Sequence, residues 1–256
     1  MLPTIFFGHG SPMNAITPNE FAESWKTLGL SIAKPKFVLS ISAHWETLGT
    51  KITNNQFPPT IHDFGGFPKE LFEVDYPAPG SEELVQMITK KLPQIVPNDS
   101  WGLDHGTWSV LKFVFPLADV PIVQLSLDRN LDLEGHWSLA ESLSFLREEG
   151  VLIIGSGNLV HNLRLVAWDK MSDPEFFYPW AEEADNLLQT AIQNRDKQTL
   201  TKQLLQNPAV QKAVPSLEHF LPALYIAALR GQNEPIQFFN QKPVMGSLSM
   251  TSFQIG

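Results

Sequence analysis

Four short apolar runs constrain this chain more than any other feature. Thr4–Phe7 (TIFF), Phe37–Ile41 (FVLSI), Pro121–Leu127 (PIVQLSL) and Val151–Ile154 (VLII) are rich in branched and aromatic side chains and bounded by Pro, Gly or charge. Such runs read as strands buried on both faces. Gly246–Ile255 (GSLSMTSFQI) alternates in part and predicts a late strand. Helical patterns lie between them. Ser81–Lys91 has Ser81 as N-cap with Glu82 and Glu83 in the first turn. Trp137–Glu149, Trp180–Asn194 and Leu200–Leu205 carry apolar residues at helical spacing. Ser216–Leu229 is apolar with Pro222 inside it, which predicts a kink or a first-turn position. Strands alternating with helices predict an α/β fold, one domain over residues 1–256. Its mostly parallel central sheet would be flanked by helices, with the active site at the carboxyl ends of the strands.

Composition removes several function classes. The chain has no cysteine, so disulfides, thiolate metal sites and a catalytic thiol are excluded. Any metal must be held by His, Asp or Glu, a donor set that suits iron, zinc, manganese or copper. The formal net charge of -9 argues against nucleic acid and against an anionic membrane surface as partners. The N-terminal residues lack a basic stretch followed by an apolar core, and no apolar run approaches a membrane span. The expectation is a cytoplasmic protein, either a monomer or a small homo-oligomer.

The seven histidines stand at telling places. His9 follows TIFF between Gly8 and Gly10, His44 follows FVLSI, and His161 lies a few residues after VLII, beyond Gly155 and Gly157. Strand ends are where open α/β sheets bind ligands, so three histidines from three strands can converge in one crevice. Neutral imidazoles are strong ligands for divalent transition metals. No His-x-x-x-His pair or comparable spacing is present, so the residues alone predict a metal or acid–base site without naming a reaction. His62 and His105 each neighbour an aspartate in stretches that read as glycine-rich loops. His136 reads as a surface histidine. Trp45, Trp101 and Trp108 are candidates for an aromatic pocket wall, and residues 54–79 read as a long structured loop over the site.

Longer blocks carry a resemblance. GHGSPMN (8–14), SAHW (42–45), IHDFGGFP (61–68), YPAPG (76–80), DHGTW (104–108), GNLVHNLR (157–164), EHFLPALY (218–225) and GSLSM (246–250) together resemble the 4,5-DOPA extradiol dioxygenases. These belong to the class III, protocatechuate 4,5-dioxygenase beta-subunit-like ring-cleaving enzymes. The resemblance implies a non-haem Fe(II) enzyme that opens a catechol ring beside its hydroxyls with O2, and it admits Zn(II) in the same site. It places the metal on His9, His44 and His219, with His161 as a further ligand. It makes His161 the catalytic base and His105 a second active-site histidine that hydrogen-bonds substrate or oxygen. In relatives with a carboxylate ligand, a glutamate fills the position that His219 takes here, and Glu218 is its neighbour in sequence. Two other readings use the same histidines: a zinc hydrolase, and a non-catalytic catechol- or metal-binding protein.

Overall fold

The computed structural model describes residues 1–170, 173 and 175–256. Its strands are β1 (Thr4–Gly8), β2 (Phe37–Thr47), β3 (Lys51–Thr53), β4 (Val96–Asn98), β5 (Ile122–Asp128), β6 (Val151–Gly157), β7 (Ile236–Phe239), β8 (Pro243–Val244), β9 (Leu248–Ser249) and β10 (Ser252–Ile255). Eight of them form one sheet in the order β4-β3-β5-β2-β6-β1-β10-β7, while β8 and β9 pair separately. The central β5-β2-β6-β1 block is parallel; β10 and β7 continue it antiparallel. The helices are α1 (Glu20–Ser31), α2 (Lys69–Phe72), α3 (Glu82–Lys91), α4 (His105–Val114), α5 (Leu133–Ser142), α6 (Pro179–Gln193), α7 (Pro208–Ala213) and α8 (Leu221–Ala228).

The apolar runs form strands because both sheet faces are covered. Alternate side chains of a strand point to opposite faces. Phe6, Leu39, Ile41 and Ile153 therefore join the core shared with α3, α5, α6 and α8. Ile5, Phe7, Val38 and Ile154 join the core under α1 and α4. This is the predicted α/β architecture, and register aligns the strand ends. Gly8 pairs with Gly157, and Ser42 with Ser156, so the ladders of β6 with β1 and with β2 finish at one edge.

Several local expectations change. β2 does not stop at Ile41 but runs on to Thr47, so His44 lies inside a strand. Its pairing with β5 passes from Ile41↔Leu125 to Glu46↔Leu127, five residues against two. The bulge between them throws His44 off the regular pleat, as bulges beside active sites do. His105 is not in a loop. It is the first residue of α4, whose N-cap Asp104 accepts from the Thr107 N–H. The 216–229 pattern becomes helical only at Leu221, with Pro222 in the first turn, where its missing N–H costs nothing. Glu218 and His219 consequently sit in the turn before α8. Trp137–Glu149 splits into the end of α5 and a 3-10 turn, and residues 199–206 form a π turn and a 3-10 turn. His136 is buried and makes a 2.9 Å contact from Nδ1 to the Tyr225 hydroxyl, so it is a core residue.

Candidate metal centre

Five histidines meet at the carboxyl edge of the sheet. His9 continues β1, and its backbone N–H donates to the Gly157 carbonyl (3.1 Å). His44 comes from the β2 bulge, His105 from the start of α4, and His161 from the turn after β6. His219 is pressed against β6. A Cβ on Gly157 would lie 2.2 Å from the His219 carbonyl oxygen, so only glycine lets this turn approach. The His219 carbonyl also accepts from the Asn158 N–H (3.0 Å).

The ring positions define two groups. Ligand nitrogens of His9, His44 and His105 lie within 4.8 Å of one another, as do those of His161 and His219 with the Glu218 carboxylate. The His219 ring touches the first group, 5.2 Å from His9 and from His44 between centroids. His161 stacks on His219 at 3.5 Å with 9° between the planes.

Hydrogen bonds set which nitrogens are free. The Ser156 hydroxyl donates its hydrogen to the Gly106 carbonyl (2.5 Å), which can only accept. Ser156 Oγ must therefore accept from His9 Nδ1–H (2.9 Å), leaving the His9 lone pair on Nε2. Asp63 Oδ2 holds His44 Nδ1 at 3.1 Å, and Asp63 Oδ1 holds His105 Nδ1 at 2.9 Å. The Nε2 atoms of His9 and His44 then face each other at 3.1 Å. Two lone pairs at that distance repel unless a proton or a metal cation lies between them. Two nitrogens, each about 2.0–2.1 Å from one ion at near-tetrahedral angles, are about 3.3–3.4 Å apart, close to the spacing seen here. The buried Nδ1 of His219 has no hydrogen-bond partner among the described residues, an expense that a cation among the rings would remove. The donor set fits a divalent transition metal.

Electrostatics agree. Burial, then the neighbouring imidazoles, holds His9 and His219 well below the ordinary histidine value, so both rings stay neutral, the form that can ligate a metal. Burial and the charges of His44 and His105 lower His161 to about 4. Burial also lowers His105, outweighing its bond to Asp63. His44 moves the other way: burial opposes it, but Asp63, Asp104 and Glu218 raise it. Despite burial, hydrogen bonds from His105 and His44 hold Asp63 below the carboxylate range.

Sequence reasoning missed the residues that orient these rings. Asp63 was visible only as the neighbour of His62, whose Nε2 instead meets the Val74 carbonyl. Ser156 was hidden between two glycines at the end of β6. Asp104 caps α4 and accepts from the Ser42 hydroxyl (2.6 Å) and from Gln124 Nε2. Of the tryptophans, Trp45 and Trp101 stack on each other at 5.7 Å, while Trp108 is core and donates to the Ile61 carbonyl. Ser156→Ala should weaken metal binding roughly 10–100-fold, the usual cost of losing a partner that orients a ligand. A competition titration against a chromophoric chelator would measure it, and unchanged affinity would contradict the orientation argument.

Fold and site together define a histidine-centred metalloenzyme at the strand ends of a parallel α/β sheet. A family profile described as "Catalytic LigB subunit of aromatic ring-opening dioxygenase" matches residues 7–247. The chain belongs to this family of aromatic ring-opening dioxygenases. It is 41% identical to the 4,5-DOPA dioxygenase extradiol of Escherichia coli (strain K12), covering 100% of this chain and 95% of that one. It is 36% identical to the protein of the same name from Beta vulgaris, over 98% and 95%. A crystal structure of an uncharacterized protein from Escherichia coli K12 superposes with a TM-score of 0.86 at 35% identity, covering both chains fully. No helix among the described residues is long and apolar enough to cross a membrane.

Proposed function

We propose that this enzyme opens the ring of a DOPA-like catechol beside its hydroxyls, using O2 and an Fe(II) centre held by His9, His44 and His219. The observation that carries the metal assignment is the pair of Nε2 lone pairs facing each other at 3.1 Å, beside the unpartnered His219 Nδ1. The relatives' names support the substrate class. The same nitrogen donors accept Zn(II). When bound, Fe(II) supplies the Lewis acidity that lowers a hydroxyl pKa and the one-electron chemistry that activates oxygen.

The protein's part is geometry and protons. His161 is the base. A ligand nitrogen points its lone pair in the plane of its ring, and the His161 and His219 planes are nearly parallel and 3.5 Å apart. One ion cannot lie in both planes, so His219 ligates and His161 takes a substrate proton at its ring nitrogen. Burial and the neighbouring imidazoles keep it neutral at neutral pH, with a lone pair free on the ring. His105, with Nδ1 tied to Asp63, offers Nε2 to the bound substrate. Phe64, at 5.4 Å from the His105 ring, extends an aromatic wall from the 54–79 loop.

Anaerobic loading with Fe(II), followed by O2 uptake and product spectra across a catechol panel, tests the proposal. One O2 consumed per catechol, with a ring-opened product, is expected. A protein that is inert with Fe(II) on every catechol yet active with zinc would overturn it in favour of a hydrolase.

A further inference from the structure

Asp63 reaches the histidine cluster from the 54–79 loop and touches two rings at once. We propose that it is the positioning residue that holds His44 and His105 in one tautomer, hydrogen on Nδ1 and lone pair on Nε2. A single carboxylate then prepares a metal ligand and makes His105 a hydrogen-bond acceptor toward the substrate. The substrate part of this inference rests on the dioxygenase reading; the tautomer part does not.

The argument is one of donors and acceptors. A carboxylate only accepts. Asp63 Oδ1 takes the His105 backbone N–H (3.0 Å) and faces His105 Nδ1 (2.9 Å), while Oδ2 faces His44 Nδ1 (3.1 Å). Each ring must therefore put its hydrogen on Nδ1. A neutral imidazole carries one N–H, so neither Nε2 can donate. For His44 that frees the nitrogen facing His9. For His105 it selects the partner: a catechol hydroxyl has a hydrogen to give and dioxygen has none. The neutral ring thus receives a substrate O–H.

The backbone fixes where this carboxylate sits. Ile61 N–H donates to the Leu103 carbonyl (2.7 Å), and Leu103 N–H donates to the Pro59 carbonyl (2.9 Å). Asp63 and His105 each lie two residues beyond these paired positions, so the loop and the start of α4 move together. Asp63→Asn separates the two jobs with almost no change of shape. An amide has one acceptor oxygen and one donor NH2, so it serves one Nδ1–H and forces the other ring to move its hydrogen to Nε2.

Long-range 1H–15N spectra of the full chain at alkaline pH, where the imidazoles are neutral, report each tautomer directly. In the metal-free protein, His44 and His105 should both carry hydrogen on Nδ1. In Asp63→Asn, one of them should switch, and the zinc affinity should fall roughly 10–100-fold. Finding Nε2–H on either ring in the unsubstituted protein would overturn the proposal, and this needs no variant to fold. Unchanged tautomers and zinc affinity in a folded Asp63→Asn would overturn it too. Because both readouts are spectroscopic or metal-binding, they stand apart from turnover: a protein with the stated tautomers that opened no catechol would sink the dioxygenase reading alone.

Discussion

His161→Ala should lower kcat by roughly 10²–10⁴, the usual contribution of a positioned proton acceptor, while leaving about one metal ion per chain. The expectation follows from the stacking of His161 on His219. With planes 9° apart and centroids 3.5 Å apart, the two rings cannot aim lone pairs at one ion. Removing His161 therefore takes away a base and a ring face, not a ligand. His219 would keep its Gly157 packing and its carbonyl bond from Asn158. Metal content by mass spectrometry and steady-state turnover on one catechol separate the roles. If metal and turnover disappear together, His161 is a ligand; if turnover persists in full, it is neither. His219→Ala is the complementary case, in which metal should be lost with activity.

The central strands were legible because burial on both faces leaves an unmistakable apolar run. β2 beyond Ile41 was not. Past Ile41 its ladder with β5 is interrupted by a bulge that carries His44 to the site, so the apolar pattern ends before the strand does. The strands β3, β4 and β7 are short and carry no periodic signal, and the two at the sheet edges, β4 and β7, are partly exposed, with Val96 53% exposed. α4 was lost for the opposite reason. Eight of its ten residues are buried, so no polar face marks it as a helix. Its cap, Asp104, was the available clue. α1 offered one as well, since the Asn19 side chain accepts from the Ala22 N–H.

The site divides in the same way. Convergence of His9, His44 and His161 could be argued from strand ends, because parallel register carries those ends to one edge. His105 and His219 join them through a buried helix start and a turn against Gly157, neither of which has a local pattern. Asp63 is the hardest case. It is 19 residues from His44 and 42 from His105, and its pairing depends on how the whole 54–79 loop folds. The family resemblance included its block, IHDFGGFP, but nothing in the block says which histidine the aspartate serves.

The metal-free chain should lose stability steeply between pH 7 and pH 5. The sign follows from which state binds protons. His9, His161 and His219 titrate well below the unfolded value, by burial first and then by mutual repulsion. Below about pH 6.5 the unfolded chain takes up protons at these positions that the folded chain refuses, so stability falls with pH. A histidine that stays neutral at pH 5 costs about 2 kcal/mol there, since 1.5 pH units lie between that pH and an unfolded value near 6.5. Three such rings are not independent; His105 and His136, also lowered by burial, act in the same direction, whereas His44 opposes them: its raised value adds stability below pH 6.5 that is lost as pH rises. For His161, lowered to about 4, that loss of about 2 kcal/mol corresponds to a fall in Tm of roughly 4–8 °C for a domain of this size, and the other lowered rings deepen it. Asp63, held low by two histidines, adds its own loss only in stronger acid. Bound zinc should raise Tm at pH 7.5, because it binds the folded site and not the unfolded chain. Differential scanning fluorimetry of the chelator-treated protein across this range measures the slope. His9→Gln removes one refused proton while keeping a polar side chain, and should flatten it. A Tm independent of pH from 7 to 5 would mean that the rings protonate in place, and the neutral-ligand argument for the metal centre would fall with it.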